Sequence, residues 1–210
     1  RVYPLVIYLI SISLVLFYAL RSNHLMGSDV HQLYYFYRAT LENAHWSLMR
    51  ETQIIESSLI TSLFPAIYQG LLNIEPETIF RILYPLLFSI TPLVVYILVE
   101  KYMGGLYAFL ASFFLMSQFY FPWAAGIPNT AMAILFFSMT IMVIVDDNIN
   151  SLAKRLMIII FFASSVVSHY TTSYIFLLAF ILAWAGELII HHVPPIRKTL
   201  LPALSNNDSG

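Results

Sequence analysis

The chain has 210 residues, of which 60% are hydrophobic and only 10% charged, and its mean hydropathy is +0.78. Soluble domains carry about 25% charged residues, so a water-soluble globular fold is excluded. A net charge of −1 gives no basic footprint for nucleic acid, and the absence of cysteine excludes a disulfide framework, a thiolate metal site and a thiol-linked lipid anchor.

Apolar runs long enough to cross a hydrocarbon core of about 30 Å recur along the chain, and they are continuous rather than alternating. Only helices or closed barrels satisfy their backbone in lipid, so the expected fold is an all-α integral membrane protein. The predicted spans are Tyr3–Leu20, Ile79–Val99, Leu106–Phe121, Thr130–Val145, Leu156–Ser168 and Tyr174–Ile190, about six in all. The first run is long enough to span and lacks a small-residue cleavage site, so it stays as an anchor.

Between the first two spans, residues 21–78 form a long connection. Its apolar segment Leu59–Leu72 is short for a span, and the distribution of Lys and Arg decides its place. If it crossed, with Arg1 inside, Arg21, Arg38, Arg50, Lys101, Lys154, Arg155, Arg197 and Lys198 would all lie outside, eight of the ten basic residues. If it stays in the interface, Arg1, Lys101, Lys154, Arg155, Arg197 and Lys198 lie inside, and six to four satisfies the positive-inside rule. The expectation is a multi-pass protein of the cell membrane with a cytoplasmic N-terminus. Its external loop 21–78 carries amphipathic juxtamembrane helices near 30–48 and 57–72. In the first of these, Val30, Leu33, Tyr37, Leu41, Ala44 and Leu48 recur at helical spacing, while Tyr34, Tyr35, Tyr37 and Trp46 are rings of the kind enriched at headgroup level. Residues 1–192 form one transmembrane module, and 193–210, opening on Pro194-Pro195, a cytoplasmic tail or the start of a longer remainder. The start at Arg1 rather than Met, together with the polar end Ser205–Gly210, points to a segment of a longer protein.

The residues able to carry chemistry follow the same order. Asp29, in Gly27-Ser28-Asp29-Val30-His31-Gln32, stands just past the outer end of the first span. Two compatible roles are open to it: a general base beside low-dielectric lipid, or, with Gln32, a capping box opening the surface helix. His24, His31 and His45, with Asp29, Glu42, Glu51 and Glu56, offer nitrogen and oxygen ligands that leave a divalent metal open as a cofactor, but their spacing fits no established metal pattern, and no metal site is assigned. Arg81 lies one turn inside the second span, where an ionisable group either faces a polar cavity or snorkels to the headgroups. Ser168-His169-Tyr170-Thr171-Thr172-Ser173-Tyr174 has six polar-capable groups in seven positions, which suits either a phosphate- or sugar-binding turn or a plain hydrogen-bonded turn between spans. Arg81 and His169 are expected to approach one outer cavity, faced also by Asp29. Glu187, His191 and His192 belong to the inner end, and the sequon Asn207-Asp208-Ser209 falls on the side where it would not be modified.

These features together resemble the polyprenyl-phosphate-dependent membrane glycosyltransferases of the C type. The resemblance lies in a first span followed by a long outer loop with an acidic residue near its start, as in Gly27-Ser28-Asp29. It continues in the entry to the second span, Leu72-Asn73-Ile74-Glu75-Pro76-Glu77-Thr78-Ile79-Phe80-Arg81. Through Tyr84-Pro85-Leu86-Leu87-Phe88-Ser89 and Ser168-His169-Tyr170 the chain looks most like archaeal membrane proteins of this type whose substrates are not established. The resemblance implies an N-terminal module of a longer enzyme that moves a sugar from a polyprenyl-phosphate donor to an acceptor hydroxyl on the outer face, with inversion. Asp29 would be the base, and Arg81, His169, Tyr170 and Arg50 would hold the departing phosphate. The family often carries a second acidic residue after the third span, whereas Pro122-Trp123-Ala124-Ala125-Gly126-Ile127-Pro128-Asn129 has none. Asn129 stands in that place, which puts a carboxylate-bound metal in doubt. A transporter or flippase, and a non-catalytic membrane scaffold, are the rival classes.

Overall fold

Proline spacing organises the helices. In the computed structural model, which describes residues 2–27, 29–47 and 58–192, every regular element is helical. Helix α1, Tyr3–Ala19, carries Pro4 in its first turn, where a missing N–H costs nothing. Its buried face is Ile7, Ser11, Val15 and Ala19, one residue every fourth position, which is the stripe that a helix turns toward one neighbour. Leu5, Leu9 and Phe17 point away and are exposed.

Elsewhere a proline interrupts each run about one turn before itself, because its ring clashes with the carbonyl four residues back. Pro65 parts the 59–72 segment into α3, Leu59–Ser62, and α4, Phe64–Leu72. Helix α5, Pro76–Thr78, runs into a π-helical turn, Ile79–Leu83, which widens the backbone around Arg81 just ahead of Pro85. Helix α6, Tyr84–Phe88, ends where Pro92 would clash, and α7, Thr91–Met103, resumes the same span. Helix α8, Gly105–Ser117, stops at an extended Gln118, four residues before Pro122. The continuation, α9 at Tyr120–Trp123 with a 3₁₀ turn at Ala124–Gly126, leaves at 63°. The third predicted span is therefore two bent pieces, not one rod. Helices α10, Pro128–Val145, and α11, Ser151–Ser168, are unbroken and pack against each other. The latter begins five residues earlier than its apolar run, because Asn150 caps it by accepting the Ala153 amide at 2.9 Å.

By length and apolarity four helical runs can cross a membrane: Pro76–Met103, Pro128–Val145, Ser151–Ser168 and Tyr170–Ile189. The bent 105–126 pair makes five, and the chain is read as membrane-embedded. Serine hydroxyls tie these runs together. Ser11 Oγ donates to the Ser89 carbonyl at 2.7 Å inside the α6/α7 break, Ser112 Oγ to Pro92 O at 2.9 Å, and Ser165 Oγ to Ala133 O at 3.1 Å. Each bond answers a carbonyl that a proline or a close helix approach leaves for a neighbour, which is how small polar residues join helices in lipid.

Helix α2, Val30–Glu42, is shorter than predicted, and its buried face is wider than the predicted stripe. Val30, Leu33 and Tyr37 are inward as expected, but the face continues through Phe36 and Thr40, while Leu41 and Ala44 are exposed. Ala44 takes a left-handed φ of 54° and the helix has stopped before it. Of the tyrosines assigned to the headgroup level, only Tyr35 faces outward. Tyr34 and Tyr37 both pack on Phe80, at 5.5 and 5.9 Å between ring centres, and Tyr37 hydrogen-bonds Gln69. Trp46 Nε1 donates to Ser62 Oγ at 3.0 Å and Tyr84 hydrogen-bonds the Ile60 carbonyl, so α2, α3 and α4 are sewn onto the 76–88 run.

Two compact units divide the chain, Arg1–Thr172 and Ser173–Gly210. The described part of the second is the continuation of helix α12, Tyr170–His192, an apolar helix in which His192 Nδ1 lies 2.9 Å from the Leu188 carbonyl.

Candidate functional site

Within the first unit the spans sort their connections to two ends. One end gathers Tyr3, Gly105, Lys101 and Asp147. Tyr3 packs on Phe109 at 5.2 Å, and Lys101 pairs with Asp147 at 2.6 Å. The other end gathers the connection after α1, the π-helical turn, the 118–130 bend and the 168–172 turn, and it holds most of the residues singled out above.

Its frame is a crossing of two backbones. Gly27 has φ of +139°, a region closed to L side chains, and a Cβ there would lie 2.5 Å from Gly126 O. A Cβ on Gly126 would in turn lie 2.7 Å from Met26 O and 3.0 Å from the Tyr18 ring. Only two glycines allow this approach, and it sets Asp29 beside the 120–130 segment. There Asp29 stands at the N-cap of α2 with helical angles, φ −91° and ψ −21°, and its side chain makes no capping bond. The capping-box expectation is corrected: with ψ near the helical value the carboxylate is not presented to the amides of the first turn.

The negative charge of Asp29 acts on two groups instead, the His169 imidazole and the Tyr120 hydroxyl, and Tyr120 in turn shares a side-chain hydrogen bond with Thr130. His169 occupies the C-cap of α11 in extended conformation. Its Nδ1 lies 2.6 Å from Thr172 Oγ1 and 3.5 Å from Thr130 Oγ1, and the Tyr170 ring stands 5.4 Å away, tilted by 50°. Burial pushes the imidazole below its ordinary pKa and the Asp29 carboxylate only partly opposes this, so His169 is neutral at pH 7. In its neutral form the imidazole offers one ring N–H and one lone pair.

Arg81 belongs to the π-helical turn, and its Nη2 donates to the Ser22 carbonyl at 2.8 Å, in the connection that leads to Asp29. Its Nε is buried and has no partner among the described residues. Asn129, at the start of α10 beside Thr130, is 3% exposed, and its Oδ1 is likewise unpartnered. Arg50, Glu51 and Glu56 lie outside the described residues. Among the described ones no three His, Asp or Glu side chains group closely enough to hold a metal ion.

The structure thus sets Asp29 within electrostatic reach of His169, with the tilted Tyr170 ring beside the histidine and Arg81 fixed to the connection that leads to Asp29. Sequence reasoning missed Tyr120, Thr130, Thr172 and the Gly27–Gly126 crossing. Thr172 was within sight in the His169 string, and Gly126 in a loop already singled out for its lack of acid, but nothing distinguishes Tyr120 among 14 tyrosines. Comparison of the chain with protein-family models, with curated proteins and with solved structures found no match in any of the three.

Proposed function

We propose that this chain is the membrane module of an inverting glycosyltransferase that moves a sugar from a polyprenyl phosphate to an acceptor hydroxyl on the outer face of the membrane. The observation that carries the reading is that the charge of Asp29 acts on His169, 140 positions away in sequence (169 − 29), at the end of the apolar helices. A carboxylate whose charge acts on an imidazole is a suitable proton acceptor, and a neutral imidazole can donate a hydrogen bond without adding charge. In the proposed step Asp29 takes the acceptor proton, the acceptor oxygen bonds to the anomeric carbon, and the bond from that carbon to the phosphate oxygen breaks. The departing polyprenyl phosphate keeps the electron pair. Arg81, Arg50 and the ring N–H of His169 would stabilise the charge that develops on it, with Tyr170 beside the histidine.

The proposal includes six spans. The four long runs and the bent pair are joined by Tyr3–Ala19, whose 17 residues rise about 25 Å and reach the lower limit for crossing. It also includes a cytoplasmic N-terminus, an outer loop 21–78 lying on the interface, and a longer parent chain. The test compares sugar transfer from a polyprenyl-phosphate donor by the full-length protein and its Asp29→Asn variant. A loss of about 10²–10⁴ is expected, and equal rates would remove Asp29 from the chemistry.

A second reading has its own observation. Two apolar runs are broken within their length, at 88–91 and at 118, and discontinuous spans are a mark of transporters. Uptake or flipping of a lipid-linked sugar by reconstituted vesicles, undiminished in Asp29→Asn, would favour it.

A further inference from the structure

At the end of the first unit opposite Asp29, α7 and α10 run out of apolar sequence together, and a cavity of about 290 Å³ opens between their last turns. One wall is aliphatic, made by Ile97, Leu98, Met142 and Val145; the other is polar, made by Glu100, Lys101, Asp146 and Asn148. The volume lies at the lower edge of small-ligand sites. The polar wall is tied by hydrogen bonds. Lys101 Nζ bridges the Val145 carbonyl and Asp147 Oδ2, the latter at 2.6 Å. Asp146 Oδ1 accepts both the backbone and the side-chain nitrogen of Asn148, at 2.9 and 3.2 Å, and Lys154 Nζ donates to the Asp146 carbonyl at 2.9 Å. Glu100 Oε1 takes the Tyr96 hydroxyl at 2.7 Å.

Spare capacity remains on both signs of charge. An ammonium has three donors, so Lys101 keeps one and Lys154 two. The second carboxylate oxygen of Glu100 and of Asp146 accepts no hydrogen bond among the described residues. Among the residues that line the cavity two carboxylates, Glu100 and Asp146, stand against Lys101, so a purely anionic headgroup meets net repulsion. A purely cationic one meets Lys101. A ligand with a separated phosphate and primary ammonium answers both, and an alkyl chain continuing from it would lie on the aliphatic wall. We propose that this cavity binds the zwitterionic headgroup of an aminophospholipid, its phosphate at Lys101 and its ammonium at Glu100 and Asp146. A quaternary ammonium has no N–H to give the two carboxylates, so a choline headgroup binds less well.

The test uses the full-length protein in nanodiscs or detergent, titrated with phosphatidylethanolamine, phosphatidylcholine and phosphatidylglycerol of identical acyl chains and read by native mass spectrometry. Phosphatidylethanolamine should bind about fivefold more tightly than either of the others, the scale of one charge pair at a partly solvated site. Asp146→Asn keeps the acceptor for Asn148, and Glu100→Gln keeps the one for Tyr96. Each should lower that preference toward the choline value while the melting temperature holds. Met142→Trp, which fills the cavity, should weaken phosphatidylethanolamine binding. Equal binding of all three lipids, a preference for phosphatidylglycerol, or a preference that survives all three substitutions would overturn the proposal.

Discussion

His169 is governed by two opposed influences, burial lowering its pKa and the Asp29 charge raising it, with burial the larger. Removing the charge by Asp29→Asn should therefore drop the imidazole pKa further. Titration of labelled histidine by NMR reads this directly, and an unmoved His169 would show that the two side chains are not neighbours. The sign of the stability effect follows from the direction of the shift. Because the folded pKa lies below the unfolded value near 6.5, the unfolded state binds the proton more readily. The contribution of neutral His169 is thus complete above about pH 6.5 and is lost as pH falls through the lowered folded value. Melting temperatures of the wild type should decline across that acidic window more than those of His169→Gln. The glycines offer a paired test at the same scale. Gly126→Ala forces a Cβ to 2.7 Å from Met26 O and should cost about 1–3 kcal/mol as overpacking. Gly70→Ala, in α4 with nothing within 4 Å, should stabilise by about 0.4–1 kcal/mol through the unfolded chain. Opposite shifts in melting temperature are expected.

Helix breaks are the most legible features at the level of elements. Pro65, Pro85, Pro92 and Pro122 each disturb the helix within the preceding turn, as steric exclusion of the carbonyl four residues back requires, and their positions can be read from the sequence. What cannot be read is who answers the freed carbonyls. At 88–91 the answer is Ser11, on a different span. Ser11→Ala should cost about 0.6–1.7 kcal/mol, whereas Ser13→Ala should cost little, since Ser13 Oγ bonds only the Leu9 carbonyl of its own helix and is exposed. Thermal unfolding in detergent separates the two; equal losses would mean that the break is satisfied some other way. The amphipathic reading of α2 erred for a related reason. Spacing alone marked Leu41 and Ala44 as inward, but the partner surface, built by α3, α4 and Phe80, is reached by Phe36, Tyr37 and Thr40.

For the whole molecule, the proposed orientation makes a labelling prediction that the cysteine-free chain suits well. A single cysteine at Asn43, exposed after α2, should react with an impermeant maleimide from outside intact cells. One at Ser151, exposed at the start of α11, should react only after permeabilisation. Outside labelling at position 151 would invert or break the topology. The same arrangement places the Asp29 cluster and the Lys101–Asp147 cavity at opposite ends of one helical unit, so substitutions in one should leave binding at the other unchanged.

Composition alone decided that this chain is helical and membrane-embedded, since so much apolar surface with so few charges has no other low-energy arrangement than lipid-facing helices. Proline positions decided where those helices break, because that rule is local. Asp29, Arg81, His169 and Tyr170 stood out as polar interruptions of apolar sequence, and interruption is also a local property. Only tertiary structure decided which of them meet. The placement of Asp29 near His169 depends on two glycines 99 positions apart (126 − 27) letting one backbone cross another, and the lowered pKa of the histidine depends on its burial. Neither long-range contact nor solvent exclusion is written at any single position, so the partners Tyr120, Thr130 and Thr172 became visible only when the helices were packed.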